Sequence, residues 1–189
     1  MKEMLIILLS VVLIDNLVLS RFLGVCSFLG LTKDLKNAMG MSVAVIFVMI
    51  VATGITYPIY WSILEPINLG YLQTVVFILV IAAVVQVLEA IIRKAFPPLY
   101  KAMGIYLPLI TTNCAILGVM LINIQEIYNF GSAMMSSFGA GVGYMLAMFL
   151  FTGVREKMEK ADIPEFMQGL PITLMAASVV SVSFMGFKG

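Results

Sequence analysis

Long apolar stretches alternate with short polar ones along this chain. Five of them, 37–64, 66–88, 102–125, 127–154 and 166–187, contain no Asp, Glu, Lys or Arg. Each exceeds the roughly 20 residues that a helix needs to cross about 30 Å of hydrocarbon. A sixth runs from Met4 to Thr32 and is interrupted by charge only at Asp15 and Arg21. Backbone in lipid must satisfy its own hydrogen bonds, and these runs are far too long for barrel strands, so helices are predicted. The pattern predicts an all-α integral membrane protein with six transmembrane helices, a single membrane domain over 1–189.

Composition agrees. Of the 189 residues, 62% are hydrophobic and only 11% charged, against about 25% charged in a soluble domain. A buried soluble core would lack the polar remainder needed to cover it. The start, Lys2 followed by "LIILLSVVLI", resembles the apolar region of a signal peptide. No small-x-small cleavage site follows, so a retained span is expected.

Orientation is read from Lys and Arg in the connections. Connections 1–2, 3–4 and 5–6 hold Lys33, Lys36, Arg93, Lys94, Lys101, Arg155, Lys157 and Lys160. The opposite side has only Lys2 and Lys188, with Glu65 and Glu126 in its loops. Both termini are therefore expected outside the cytoplasm, with "VREKMEKADIPE" as the main cytoplasmic loop.

Several chemistries fall away. A net charge of +1 argues against a broad basic face for nucleic acid. The absence of histidine removes His-ligated zinc, His-ligated haem and every His-based triad. No P-loop or paired carboxylates are present, so the chain offers no hydrolytic or phosphoryl-transfer site of its own. "FGAGVGY" lacks the G-x-G-x-x-G spacing and the preceding strand of a dinucleotide site. Gly139 and Gly143 instead form a GxxxG face for close helix packing. The 15 methionines read as packing filler.

The chain divides into halves of three spans each, about 1–94 and 95–189. Sliding one onto the other so that Cys26 meets Cys114 carries the second span onto the fifth and the third onto the sixth. It also aligns "CSFLGL" with "CAILGV", Leu29 with Leu117 and Gly30 with Gly118. Three crossings are an odd number, so the second half enters from the opposite face and the two form an inverted repeat. Equivalent residues then sit at mirrored depths, and cysteines near mid-span can approach each other at the bilayer centre.

Both cysteines lie in weak helix. Gly24 and Gly30 flank Cys26, while Pro108, Thr111, Thr112, Asn113 and Gly118 surround Cys114. Pro removes a backbone donor, Gly costs about 1 kcal/mol of helix propensity, and Thr and Asn bond their own backbone. The first and fourth helices are expected to break near the cysteines, as helices at membrane depth do where they line a site or cavity. Three readings of the thiols stay open: small buried hydrophobes, a disulfide, or thiolate ligands to a metal. Iron–sulfur clusters and structural zinc generally take four sulfurs. With two here, a metal centre needs two more from a second subunit.

Asp15 and Arg21 are charges within a span, which usually mark a pathway or a partner. Six residues apart, they do not share a face of an unbroken helix. Asp15 reads either as part of an ion or proton route or as a neutral, hydrogen-bonded group near the outer interface. Arg21 reads as an anchor near headgroups. Glu89 and Arg93 have the order and spacing of an interfacial i,i+4 pair.

The stretches "LSRFLGVCSFLGL", "VFILVIAAVVQVLE", "PPLYKAMGIYLPLITTNCAILGV", "FGAGVGYMLA" and "GLPITLMAASVVSVSFMGF" resemble the membrane subunits of Rnf electron-transport complexes and of sodium-pumping NADH:quinone reductases. "SRFLG" and "TTNC" are similar to the Rnf member more than to its NADH:quinone reductase sibling. The resemblance covers nearly the whole chain. It implies six helices in two inverted halves, paired with a homologous six-helix subunit in a bacterial or archaeal cytoplasmic membrane. The pair is implied to hold a [2Fe–2S] cluster, with Cys26 and Cys114 as this chain's ligands. Gly24, Gly30, Thr112, Asn113 and Gly118 would form the broken-helix shell around it. The implied activity is that of a redox-driven translocase, passing electrons between ferredoxin and NAD with movement of Na⁺ or H⁺. Flavin and the other iron–sulfur centres would lie on other subunits. Asp15 stands where the resemblance leads one to expect Asn. Two other classes remain: a secondary transporter, which shares inverted repeats and broken helices, and a purely structural assembly subunit.

Overall fold

The computed structural model describes residues 2–14, 16–26, 35–66, 70–95, 110–159 and 168–186. Asp15, Gly30, Lys33, Lys101, Lys160, Lys188 and the segment 96–109 lie outside the described residues. All regular structure among those described is helical. Helix α1, Lys2–Leu9, runs into a π-helical turn at Ser10–Ile14. Helix α2, Leu35–Ile59, ends in a second π-helical turn at Tyr60–Leu64. A single 3₁₀ turn, Gly70–Leu72, leads into α3, Gln73–Ala95. Then come α4, Cys114–Gln125, α5, Phe130–Glu159, and α6, Leu170–Met185.

Local sequence explains the ends. Pro58 sits in the last turn of α2, where its missing N–H loosens the ladder and the wider π turn takes over. Asn113 is extended, with ψ 110°, and caps α4, so that helix starts at Cys114 rather than at the start of its charge-free stretch. Gly169, at φ +93°, precedes α6, and Pro171 occupies the first turn, where a missing N–H costs nothing.

Among the described residues, three helices are long and apolar enough to cross a membrane: Ala38–Leu64, Gln73–Ile91 and Phe130–Met158. Helices α4 and α6 are apolar but shorter.

Helices α2 and α5 form the centre of the packing. Glycines set the approach of their neighbours. A Cβ on Gly141 would lie 2.7 Å from Ile46 Cγ1 and 3.2 Å from its Cα, so α2 crosses where no side chain fits. On another face of α5, a Cβ on Gly139 would meet Leu8 Cδ1 at 3.5 Å, and one on Gly143 would meet Val12 Cα at 3.4 Å. The GxxxG pair thus seats α1 and its π turn. Met41, Val45, Val48, Ala52, Tyr144 and Phe151 fill the core between these elements. Helix α3 is the opposite case. Only 17% of its apolar window is buried, and Ile78, Leu79, Val87 and Ile91 face outward.

Candidate functional site: a thiol pair beside irregular backbone

The two cysteines, distant in sequence, meet in space. Cys26 Sγ and Cys114 Sγ are 4.0 Å apart. That is about twice a disulfide bond of about 2.05 Å, so they are two thiols in contact. Cys26 is exposed and Cys114 half-buried.

The first cysteine is delivered by irregular backbone. After the π turn the chain leaves the helix at Asn16 and winds through Leu17–Gly24 before turning helical again at Val25 and Cys26. Asn16 is 1% exposed and organises this segment. Its Oδ1 accepts from Val18 N at 3.1 Å and Leu19 N at 3.4 Å. Its Nδ2 donates to the carbonyls of Val12 at 3.1 Å and Gly143 at 2.9 Å. Ser20 N donates back to Asn16 O at 2.7 Å, and Leu23 N to Leu17 O at 3.0 Å. Buried backbone donors freed by a helix break are thus satisfied locally, as a membrane interior requires.

Gly24 closes the segment. Its φ of +90° is a conformation that side-chain-bearing residues rarely adopt. A Cβ there would lie 3.1 Å from Ala115 Cβ, 3.3 Å from Asn113 Oδ1 and 3.3 Å from Tyr144 Cε2. This close seating lets Gly24 N donate to Cys114 Sγ at 3.0 Å. Phe22 also has positive φ, at 56°.

Cys114 is delivered by the start of α4. Ile110 and Thr111 are helical, Thr112 turns, and Asn113 caps: its Oδ1 accepts from Ala115 N at 3.0 Å. Asn113 is buried, and its Nδ2 has no hydrogen-bond partner among the described residues. One turn further, Gly118 makes room for Leu23, whose Cδ1 would lie 2.5 Å from an added Cβ.

Of the residues singled out in the sequence, Cys26, Gly24, Cys114, Asn113 and Gly118 come together here. Thr112 lies at the exposed edge. Sequence reasoning missed Asn16 and Tyr144. The signal for Asn16 was a carboxamide at the end of an apolar run, overshadowed by the charge of Asp15 beside it.

Chemically, the pair offers two sulfur donors, one of them already receiving a backbone N–H. A tetrahedral centre with metal–sulfur bonds of about 2.3 Å holds its sulfurs about 3.8 Å apart, so 4.0 Å suits two ligands of one metal ion. No group of three or more Cys, Asp or Glu that could hold a metal occurs among the described residues. Two thiols amount to half of a four-sulfur set, and the exposed side of the pair is at Cys26.

Long apolar helices, an apolar exterior and a polar site on interrupted backbone define a multi-pass integral membrane protein. The chain belongs to the Rnf-Nqr family, described as "Rnf-Nqr subunit, membrane protein", whose model matches residues 4–189. It is 52% identical over 183 residues to the A-type subunit of the Na⁺-translocating ferredoxin:NAD⁺ oxidoreductase complex of Acetobacterium woodii, covering 97% of this chain and 95% of that one. It is 49% identical to the A-type subunit of the ion-translocating oxidoreductase complex of Syntrophotalea carbinolica, covering 100% of this chain and 98% of that one. The counterpart from Shewanella sediminis, with the same descriptive name, is 48% identical over the same shares.

Proposed function

We propose that this chain is a membrane subunit of an ion-translocating ferredoxin:NAD oxidoreductase, and that it relays electrons through a [2Fe–2S] cluster shared with a homologous subunit. The observation that carries the reading is the 4.0 Å approach of Cys26 and Cys114. Full-length similarity to the A-type members of such complexes supports it. The exposure of Cys26 leaves the pair accessible to a second subunit bringing two further sulfurs. When bound, a cluster of this type supplies a one-electron carrier.

The chain's own residues have distinct tasks in this reading. Cys26 and Cys114 are the ligands. Gly24 N–H holds negative charge on Cys114 Sγ, and such bonds tune the potential of a thiolate-ligated centre. Asn113 fixes the first turn of α4 and thereby the direction of Cys114. Buried Ile110, Ala115 and Ile116 keep water from the inner side. Six crossings in two inverted halves, with both termini outside and the 5–6 loop cytoplasmic, would place this pair between redox centres on either face. A carrier at intermediate depth divides one long transfer into two shorter ones. Movement of Na⁺ or H⁺ would be coupled to that transfer.

The test is iron and acid-labile sulfide in the purified complex, wild type against Cys26→Ser and Cys114→Ser, with assembly checked. Loss of about two irons and two sulfides per complex in each variant is expected. Unchanged iron in assembled variants would return the thiols to packing and favour a transporter without a redox role.

A further inference from the structure

Several buried hydroxyls in this molecule return to their own helix. Ser42 donates to the Ala38 carbonyl at 2.7 Å, Thr152 to that of Met148 at 2.8 Å and Ser137 to that of Ala133 at 2.9 Å. Ser137 also belongs to a hydroxyl–carboxamide cluster in the packed interior. Its Oγ is 2.7 Å from Thr53 Oγ1 of α2 and accepts from Asn123 Nδ2 of α4 at 3.0 Å. Ser136, its neighbour on α5, does neither. It is 3% exposed, yet its hydroxyl makes no hydrogen bond among the described residues. It stands on the wall of a cavity.

The cavity, of about 250 Å³, lies between α1, the segment after its π turn, α4 and α5. Ile7, Val11, Leu17 and Ile122 make apolar walls. Ile6 also lines it and is 65% exposed, so the cavity opens there on the apolar exterior. Two charged residues complete the lining, Arg21 and Glu126. Among the described residues no ion pair joins them to each other or to a third group. A cation, an anion and an unused buried hydroxyl on apolar walls call for an occupant that is itself both polar and apolar.

The polar groups come in a fixed order along α4. Leu17 and Leu23, on either side of Arg21 in sequence, both meet Gly118, which sets the Arg21 backbone near that level. Glu126 caps the far end of the helix, eight residues on and about 12 Å of rise away. Ser136 lies between them, because Ser137 beside it bonds Asn123. Glu126 is carried on a pinned turn. Its N donates to the Ile122 carbonyl at 2.9 Å, and Tyr128 N donates to the Asn123 carbonyl at 3.2 Å. From α2, Tyr57 Oη donates to the Tyr128 carbonyl at 3.0 Å.

A phospholipid with a primary-amine head carries matching groups in the same order: apolar chains, then a phosphate, then an ammonium. Guanidinium groups take phosphate by charge-assisted hydrogen bonds, and basic pockets between membrane helices hold lipid heads in this way. The phosphate then falls to Arg21 and Ser136, the ammonium to Glu126, and a chain leaves past Ile6. A trimethylated head has no N–H for the carboxylate. A head without an amine sets a phosphate near Glu126 with no positive charge between them. An inorganic anion would leave both Glu126 and the apolar walls unused.

We propose that this cavity binds a phosphatidylethanolamine-type lipid, with its phosphate on Arg21 and Ser136 and its ammonium on Glu126. The lipid braces Leu17–Gly24, the irregular segment that delivers Cys26. The proposal goes beyond the electron relay and requires neither iron nor a second subunit.

In the experiment the purified complex is placed in nanodiscs of phosphatidylethanolamine, phosphatidylcholine and phosphatidylglycerol, with the ethanolamine share varied. It is then repurified in detergent, and the retained lipids are counted by mass spectrometry. Wild type is compared with Arg21→Gln, Ser136→Ala, Glu126→Gln and Glu126→Lys. Arg21→Gln is expected to lose one phosphatidylethanolamine per copy of this chain, and Ser136→Ala to need about fivefold more of it for the same retention. Glu126→Gln is expected to lower the preference for ethanolamine over choline about tenfold, as loss of one charged hydrogen bond does. Glu126→Lys is expected to exchange that lipid for phosphatidylglycerol, a gain that misfolding cannot imitate. The same retained lipids in wild type and all assembled variants overturn the site, as does phosphatidylethanolamine kept in Glu126→Lys. Free phosphoethanolamine that displaces the lipid at equal concentration overturns the lipid and leaves a site for a soluble zwitterion.

Discussion

The thiol pair and the hydroxyl–carboxamide cluster both interrupt apolar helices with polar atoms, and they are built in opposite ways. At the thiols the backbone leaves the helix, Phe22 and Gly24 take positive φ, and Cys26 reaches the surface. At the cluster α2, α4 and α5 continue unbroken, and Thr53, Asn123 and Ser137 are buried. In the proposed reading the thiol pair is completed from outside the chain, and its backbone opens toward the surface. Its freed N–H groups then need dedicated acceptors, which Asn16 and Asn113 supply. A group completed within the chain can stay on intact helices and needs only small neighbours.

Substitutions that touch one region and spare the other sharpen this contrast. The largest effect is expected from Asn16→Leu, which leaves Val18 N and Leu19 N without their buried acceptor. A loss of about 2–3 kcal/mol should appear in denaturant unfolding of the purified complex. Gly24→Ala comes next. Positive φ costs an L-residue about 1–2 kcal/mol, and the added Cβ crowds Ala115 and Tyr144. Beyond the lower unfolding midpoint, oxidant-driven cross-linking of Cys26 to Cys114 in iron-free protein should slow, because Gly24 N no longer seats Cys114 Sγ.

Gly118→Ala should cost about 1 kcal/mol, since Leu23 is a flexible side chain that shifts rather than clashes. Thr53→Val should be smallest in stability, about 0.6 kcal/mol for one interhelical hydrogen bond. It should leave thiol cross-linking as in wild type. A slowed cross-link in Thr53→Val would merge the two regions into one cooperative unit.

Sequence made the thiol region legible because several signals coincided there. Gly24 and Asn113 disfavour helix and do lie where the backbone is irregular, whereas Gly118, read as a further weak point, lies inside α4 and Pro108 lies outside the described residues. The alignment of the halves put Cys26 over Cys114. The GxxxG face at Gly139 and Gly143 was equally readable, although not that it would receive α1, nor that Gly141 would receive Ile46 of α2. Asn16 was hidden because its partners, Gly143 and Val12, are set by how α1 lies on α5. The Thr53, Asn123 and Ser137 cluster gave no signal at all. Single Ser, Thr and Asn residues in apolar helices have no diagnostic spacing, and only packing reveals which of them meet. Gly30 and Asp15, both singled out in the sequence, lie outside the described residues.

In the proposed function Cys26 and Cys114 are half of an iron site whose other half belongs to a second chain. Iron content of this chain purified alone, and purified with the homologous subunit proposed to pair with it, tests this directly. Iron near zero for the chain alone, rising to about two per pair on co-purification, is the expected result. Equal iron in both preparations, or none in either, would contradict a shared site.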